Sequence, residues 1–433
     1  MEKRRVLVFP AGTEIGLEIL QSLKYCKEVD LFAAGQDISN HARFAYTEYH
    51  VLPSIHEPGW AEALIALCHS LRIDYIFPAY DDVIVALSRE TERLPAIVLS
   101  SPSSACEITR SKSQTYRALS GIVRVPRMFA SSDEIGNYPV FVKPDRGQGS
   151  FGVTKANNEE ELLGAIRTIS EPIICEYLPG EEYTVDCFSD RERGVLFAGA
   201  RARRRTRSGI SVNTITEILP EAREMANLIG LKLGLRGAWF FQLKRAQDGQ
   251  LALLEVAPRI AGAMAAHRVS GVNFPLLSIF EEERMAISVL PLDGVIEMDR
   301  ALGNRYRHSI NFSTLYIDLD DTLLVNGRVN ILAMKLVFQC INKGKKIVLL
   351  SRHRGDLKRT LAKHRLSGLF DATIQLGETE TKSSRITRGD AIFVDDSFAE
   401  RMDVAEHCKI PTFDCSMIEM LTEQAEFMNG DET

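Results

Sequence analysis

A chain of 433 residues is too long for one ordinary hydrophobic core and calls for two to four domains. Hydrophobic residues at 45% and charged residues at 25% exclude an intrinsically disordered chain, and a formal net charge of −6 argues for solubility and against a general nucleic-acid surface. The eight cysteines are scattered from Cys26 to Cys415 without a CxxC pair, so neither a disulfide framework nor a structural zinc site is expected, and the reading is a reducing compartment. The apolar run near Met1 stops after four residues, with Glu14 close behind, which suits a buried first strand rather than a secretory signal. No stretch approaches the roughly 20 apolar residues that a membrane span needs. A cytoplasmic protein without membrane contact is expected.

The first hundred residues alternate short apolar runs with amphipathic stretches. Arg5–Phe9, Val29–Ala33, Tyr75–Pro78 and Ala96–Leu99 read as buried strands, and Ile15–Leu23 and Trp60–Leu71 carry apolar residues at helical spacing. That alternation predicts parallel βαβ units in an open α/β sheet. The turn Gly12-Thr-Glu-Ile-Gly16 reads either as a phosphate-binding turn or as tight strand–helix packing; it lacks GxGxxG spacing and is assigned no cofactor.

From about 105 to 300, strands are predicted at 139–143, 173–177, 183–188, 195–200, 238–244 and 252–256. Lys143 ends the first of these, and Gly147, Gly149 and Gly152 follow within ten residues. Glycines let backbone N–H groups approach phosphate oxygens, and a strand-end lysine supplies compensating charge. Glu176 and Glu182 flank the turn Pro179-Gly180, and Gln242 and Glu255 sit on successive strands joined by an Asp248-Gly249 turn. Such a hairpin brings two oxygen donors toward one Mg²⁺.

In this order the motifs resemble the ATP-grasp superfamily, its carbamoyl-phosphate-synthetase-like and amino-acid-ligase branches, over about residues 1–290. The resemblance implies ATP and Mg²⁺ (Mn²⁺ as an alternative) as cofactors. It also implies that Lys143, with Gly147 and Gly149, and the earlier Lys112 contact the nucleotide phosphates. Glu176 would lie at the adenine edge, and Glu182 would accept from the ribose hydroxyls. Gln242 and Glu255 would bind metal, and Arg259 would steady the transferring phosphoryl group. Where the family has a metal-binding Asn, this chain has Ala257, which cannot ligate; an Ala-Pro-Arg version occurs in some amino-acid-ligase relatives. The implied reaction is phosphorylation of a small-molecule carboxylate, then attack by an amine on the acyl phosphate.

The run Arg201-Ala-Arg-Arg-Arg-Thr-Arg207 is the most basic in the chain. It reads either as a solvated charged hairpin or as a source of arginines that reach the cleft and clamp a substrate carboxylate or phosphate. Nucleic-acid binding by this run is not favoured, since no aromatic platform lies beside it.

Residues 301–313, with Arg305 and Arg307, suit a linker, and the tail 429–433 is expected to fray. The strand Thr314–Ile317 then leads directly into Asp318-Leu-Asp320-Asp-Thr322. Two carboxylates one residue apart at a strand's C-terminal end occupy the place where open α/β sheets bind ligands. One carboxylate attacks phosphorus while the other handles the proton. The strand 346–350 runs into Ser351, and Lys382 precedes the strand Ala391–Val394, which runs into Asp395 and Asp396. This order resembles the haloacid-dehalogenase-like (HAD) phosphatases over about 313–420. The resemblance implies Asp318 as nucleophile and Asp320 as general acid/base. Ser351 and Lys382 would bind phosphate, with Lys358 and Lys363 as competitors for the lysine. Mg²⁺ would be held by Asp318 and Asp320 with Asp395 or Asp396. Thr322 is expected to shape the loop and His353 to be a surface residue. The short span from Asp318 to Ser351 leaves no room for a large cap.

The expected architecture is α/β and α+β multidomain. It comprises an open α/β pre-ATP-grasp domain at 1–104, an ATP-grasp domain at 105–300, the linker, and a cap-less Rossmannoid HAD-like domain at 314–433. The expected partners are a carboxylate, an amine and a phosphorylated metabolite, with the oligomeric state open. Two further readings stand beside a bifunctional ligase–phosphatase. One is an ATP-grasp enzyme that forms an acyl or carbamoyl phosphate without an amine. The other, kept alive by Ala257, is a nucleotide-binding module that regulates the phosphatase.

Overall fold

The computed structural model describes residues 3–422 apart from 148, 150, 304, 305, 307, 378 and 388. Three of these lie in the 301–313 stretch, so the linker arginines Arg305 and Arg307, like the tail from 423 onward, fall outside the described residues. Two compact units meet in sequence between Gly303 and Asn304. Among the described residues no helix is long and apolar enough to cross a membrane.

The first unit opens with a five-stranded parallel sheet ordered β3-β2-β1-β4-β5, from β1 (Arg4–Phe9), β2 (Val29–Gly35), β3 (Tyr49–Val51), β4 (Tyr75–Pro78) and β5 (Ile97–Val98). Successive side chains of a strand point to opposite faces. Val6 and Val8 accordingly join one core with the helix Glu14–Leu23, while Leu7 and Phe9 join another with the helix Trp60–Leu71. Covering both faces explains why these strands read as unbroken apolar runs. The turn after β1 is a packing device. Thr13 caps the helix by accepting from Gly16 N at 3.0 Å, and a Cβ on Gly16 would lie 2.3 Å from the Ala11 carbonyl oxygen.

A small antiparallel sheet ordered β6-β9-β7-β8 follows, from β6 (Met128–Phe129), β7 (Val140–Pro144), β8 (Thr154–Ala156) and β9 (Pro172–Glu176). The larger antiparallel sheet is ordered β14-β13-β10-β11-β12-β15. Its strands are β10 (Glu182–Asp190), β11 (Gly194–Arg207), β12 (Ile210–Glu217), β13 (Gly237–Arg245), β14 (Leu251–Ala257) and β15 (Glu297–Asp299). On β13, Trp239, Phe241 and Leu243 are fully buried in a core shared with residues of the helix Ala222–Leu233, each contributing about 1.5–3 kcal/mol through burial. The alternate residues Phe240, Gln242 and Lys244 therefore face the other way. A bulge between β13 and β14 keeps Glu255 opposite Gln242 while Leu253 pairs with Leu243 in the core.

The second unit is a five-stranded, all-parallel sheet ordered β20-β19-β16-β21-β22. It comprises β16 (Thr314–Ile317), β19 (Lys346–Ser351), β20 (Ala372–Gln375), β21 (Ala391–Val394) and β22 (Thr412–Phe413). Between β16 and β19 lie the short hairpin β17 (Leu324–Val325) and β18 (Arg328–Val329) and the helix Ile331–Asn342. Leu315 and Ile317 pack into one core and Tyr316 into another, so both faces are covered here too.

Candidate functional site

In the first unit, the face of the large sheet opposite its Trp239 core borders two adjoining cavities of about 300 and 160 Å³. Lys112, Gly147, Gly149, Gln242 and Glu255 line both. Lys143, from β7, lines the smaller one; it is 6% exposed, and its Nζ donates to the Tyr116 hydroxyl at 2.7 Å. Tyr116 in turn donates to the Leu254 carbonyl at 2.7 Å, so the lysine is braced from β14, the strand that carries Glu255. Burial lowers the Lys143 pKa below the ordinary lysine value. Lys112 stands at the start of a helix capped by Ser111, and its Nζ lies 3.1 Å from the Gly147 carbonyl; burial lowers its pKa as well. Gly149 has φ +64° and its backbone touches the turn of the β11–β12 hairpin, where a Cβ on Gly209 would lie 2.2 Å from Gly149 C. The glycine-rich segment and the arginine hairpin thus meet through two residues without side chains.

Glu176 lines the smaller cavity, but its carboxylate is tied outward, to Arg124 Nη2 at 3.0 Å and the Arg127 amide at 3.3 Å. Tyr177 and Leu178 follow it along the cavity wall. Glu182 also lines this cavity and pairs with Arg203 at 2.8 Å and Lys244 at 3.6 Å. Gln242 and Glu255 are direct cross-strand neighbours. Ala257 lines the larger cavity, so the site presents an amide and one carboxylate from this hairpin. Arg259 lines the same cavity and is held bidentately by Asp81, with Nη2 to Oδ2 at 3.0 Å. Burial works against ionisation of Asp81, yet the Arg259 charge and hydrogen bonds keep its pKa below the usual carboxylate value.

The arginine run divides where the β11–β12 register shifts, between Arg203 and Arg205, which breaks the alternation that puts Arg201 and Arg203 on one face. Arg201 and Arg203 line the larger cavity, whereas Arg204 and Arg205 point to the exposed Glu297 and Asp299. Arg201 is 2% exposed and bound by the fully buried Asp186, which also meets His267 Nδ1 at 2.9 Å. Sequence reasoning did not pick out Asp81, Asp186, His267 or Arg300. The one available signal was for Asp81, an acid just past the end of a predicted parallel strand.

In the second unit, the ends of the adjacent strands β19, β16 and β21 bring together Ser351, Asp318 and Asp395. Lys382 Nζ bridges Asp318 Oδ1 at 2.6 Å and Asp395 Oδ2 at 2.5 Å, and all three are nearly inaccessible to solvent. Burial pushes the Asp318 carboxyl up to about 7, aided by the Asp395 charge and opposed by Lys382. The rival lysines Lys358 and Lys363 are exposed on the helix Leu357–Lys363. Ser351 Oγ is buried beside Asp318 without a well-formed hydrogen bond. Thr322, fully buried, accepts from the Asp396 amide at 3.0 Å and so fastens the two acidic loops together.

Asp318, Asp395 and Asp396 each offer a carboxylate oxygen within 4.8 Å of the others, the one such acidic group among the described residues. The Asp320 carboxylate stands outside it. His353 Nδ1 lies 2.9 Å from Asp320 Oδ2, and the opposite ring nitrogen lies 2.9 Å from Thr360 Oγ1. In this arrangement the Asp320 side chain meets His353 instead of the acidic group, and His353 is partly buried against it. Leu319 turns inward to 0% exposure, and the chain at Asp320 then leaves the strand axis toward the loop that carries His353.

A family described as ATP-grasp in the biosynthetic pathway with Ter operon matches residues 168–291. The unit's fold is similar to that of the biotin carboxylase domain of Hydrogenobacter thermophilus 2-oxoglutarate carboxylase, solved with MgADP and bicarbonate. The TM-score is 0.58 and the identity 17%, over 68% of this chain and 74% of that one. The first unit has the ATP-grasp fold. An L-amino acid ligase from Bacillus licheniformis matches with TM-score 0.52 and 17% identity, over 64% of this chain and 73% of the ligase. By sequence, a D-alanine–D-alanine ligase from Fusobacterium nucleatum subsp. nucleatum is 33% identical over 93 residues, 21% of this chain and 32% of that ligase. The chain thus spans a third or less of the first curated relatives it matches. The strands β7 and β9 and the hairpin β13–β14, which carry Lys143, Glu176, Gln242 and Glu255, are elements of this ATP-grasp unit.

Proposed function

We propose that the chain is a bifunctional enzyme of the cytoplasm: an ATP-dependent carboxylate–amine ligase in the ATP-grasp unit and a HAD-type phosphatase in the second unit. The observation that carries the first half is the convergence of Lys112, Lys143, Gln242, Glu255 and Arg259 on one pair of adjoining cavities. The eight free thiols are in keeping with a reducing compartment.

In the ligase step a carboxylate oxygen of the acid attacks the γ-phosphorus of ATP and ADP leaves. The amine then attacks the acyl carbon, loses a proton, and inorganic phosphate leaves. Lys112 and Lys143 hold the nucleotide phosphates, and Arg259, kept in place by Asp81, offsets charge on the transferring group. Gln242 and Glu255, direct cross-strand neighbours on the cavity wall, would hold Mg²⁺, which would supply charge neutralisation to the phosphates. One amide and one carboxylate are a donor set that would suit one magnesium ion, and Ala257 adds no ligand to it.

In the phosphatase step an Asp318 oxygen attacks phosphorus and the alcohol leaves with a proton from Asp320. Asp320 then takes a proton from water, which attacks the phosphoryl-aspartate and frees phosphate. Ser351 and Lys382 hold the phosphoryl oxygens. Asp318, Asp395 and Asp396 fit Mg²⁺, whose charge favours the ionised form of Asp318. The substrate is a phosphorylated metabolite.

The test is a screen of ADP and phosphate release across acids, amines and phosphorylated metabolites, with Glu255→Gln and Asp318→Asn run beside the wild type. Glu255→Gln loses only ADP release and Asp318→Asn only phosphomonoester hydrolysis. Activities that fail to separate between the two variants overturn the two-site reading. Ala257 favours one rival, a nucleotide-binding module that controls the phosphatase. Tight ATP binding without turnover for any acid–amine pair would establish that rival instead.

A further inference from the structure

The larger cavity of the ATP-grasp unit is bordered by more positive charge than the nucleotide reading uses. Most of that charge has a protein partner: Arg259 has Asp81, Arg110 has Asp82 and Arg203 has Glu182. Three of the cavity's arginines keep a buried guanidinium nitrogen without a formed hydrogen bond: Arg203 Nε, which still faces Glu182 at 2.8 Å, and Nη1 of both Arg201 and Arg300. Asp186 takes Arg201 Nε at 2.8 Å and Nη2 at 3.2 Å, and Arg201 Nη1 is left buried with no hydrogen-bond partner. Asp186 is itself fully buried and fixed from the other side by His267, so the guanidinium is held in one orientation before any ligand arrives. Arg300 is anchored through its amide to the Val212 carbonyl at 2.7 Å, next to β12, and its Nη1 is likewise buried and unpartnered. Both arginines line the same cavity as Glu255 and Arg259.

Buried donors on charged groups are normally satisfied, and two orphaned guanidinium nitrogens at one cavity call for an acceptor. The Arg259 end of that cavity is taken in the ligase reading by the carboxylate that receives the phosphoryl group. We propose that Arg201 and Arg300 bind a further anionic group of the substrate pair, a carboxylate or phosphate distinct from the one being activated. The substrates therefore include either an acid with a second anionic centre or an amine that is itself an acid, such as an amino acid. Arg201 and Arg300 act as specificity residues and take no part in the transfer itself. This rests on the ligase reading for the identity of the ligand, but the anion site is measurable without it.

The experiment uses the full chain with saturating Mg²⁺ and compares wild type, Arg300→Gln, Arg300→Lys and Arg201→Gln. Arg300 is the primary variant, because Arg201→Gln removes the partner of the buried Asp186 and risks misfolding. In ADP release, acids matched in shape but differing in charge (glutarate against its monoamide) and amines differing likewise (an amino acid against its amide) are paired in turn. Arg300→Gln raises the KM of the doubly charged cosubstrate tenfold or more and leaves the KM for ATP within twofold, and Arg300→Lys recovers part of the loss. A penalty that follows the acid's second charge assigns the site to the acid, and one that follows the amine's carboxylate assigns it to the amine. If ADP release proceeds with uncharged partners and Arg300→Gln is inert, the anion site falls while the ligase stands. If no pair releases ADP, the ligase reading falls, and inorganic phosphate becomes the probe. A phosphate-induced rise in Tm that drops by half or more in Arg300→Gln keeps the site, and an equal rise in both proteins removes it.

Discussion

The two candidate sites are built in opposite ways. In the second unit, chemistry sits where three adjacent parallel strands end, so Asp318, Ser351 and Asp395 are neighbours as soon as the strand order is fixed. In the first unit, Lys112, Lys143, Gln242, Glu255 and Arg259 come from the loops and faces of two antiparallel sheets and a helix start. There, position depends on strand alternation and on a bulge. A parallel-strand site tolerates little variation in the strand ends but needs few long-range contacts. A sheet-face site must be held by partners distant in sequence. Lys143 on Tyr116, Arg259 on Asp81 and Arg201 on Asp186 are those partners.

The largest effects separate the sites. Asp318→Asn lowers phosphomonoester hydrolysis by more than about 10³-fold, because a neutral amide oxygen is a poor nucleophile and removing one member of a concerted set removes most of its effect. ADP release is unchanged. Glu255→Gln lowers ADP release by about 10²–10³-fold and spares the phosphatase. Paired kinetics on the two variants, each with both assays, check this. Cross-inhibition of the two activities would mean that the comparison drawn above is wrong.

The next effect probes the dependence on remote partners. Asp81→Asn leaves Arg259 in its buried place without a counter-charge, and breaking such a pair costs on the order of 3 kcal/mol. The predicted outcome is a lower Tm together with a fall in ADP-release kcat larger than the change in KM for ATP. Asp82→Asn is the control, since its own carboxylate is more exposed than that of Asp81, 37% against 17%. It should cost under about 1 kcal/mol.

How much of this was visible in the sequence follows the same division. β4 and β16 begin and end where the apolar runs place them, and the helix Trp60–Leu71 matches its spacing. Asp318, Ser351 and Asp395 stood out as candidates because each comes at or directly after the end of a strand, and Lys382 because it is a lysine shortly before the strand that leads to Asp395. Lys143, Gln242 and Glu255 stood out through local patterns of another kind, a strand lysine before a glycine-rich segment and two oxygen donors on successive strands of one hairpin. Asp81, Asp186, His267 and Arg300 did not. Asp81 is 178 residues from Arg259, and Asp186 is 81 from His267, so neither pair leaves a local pattern. The arginine run shows the boundary well. Its strand was predicted to end at Ala200, yet β11 continues to Arg207, and only then does alternation send Arg201 and Arg203 to the cavity. The contact of His353 with Asp320, 33 residues away, left no local pattern either.

A smaller effect comes from pH. Burial lowers the pKa of both Lys112 and Lys143, so in the free protein they lose their protons at lower pH than an exposed lysine, whose value is about 10.4. Nucleotide phosphates bind the charged forms, so bound nucleotide raises these values again. The Kd for MgADP therefore increases as pH climbs through the alkaline range, by up to about tenfold per unit for each lysine that titrates. Lys143→Gln weakens binding and flattens that slope. A wild-type Kd independent of pH between 7 and 10 would show that neither lysine meets the phosphates.

The mildest prediction sharpens the account of the parallel-strand site. His353 touches Asp320 but no carboxylate of the acidic cluster, and the Asp320 side chain is half exposed. Its contribution is to keep that carboxylate turned toward the leaving oxygen, through a contact continued to Thr360. A hydrogen bond of this kind is worth about 0.5–1.5 kcal/mol, so His353→Ala lowers the phosphatase kcat by roughly 2- to 10-fold. Because His353 hydrogen-bonds Asp320 and Thr360 and not the proposed phosphate-binding residues Ser351 and Lys382, KM is expected to change less than kcat. Thr360→Val, which removes only the far end of the chain, produces a smaller loss in the same direction. A His353→Ala variant that loses phosphate affinity instead would place the histidine on the substrate, and Asp320 would then need another group to orient it.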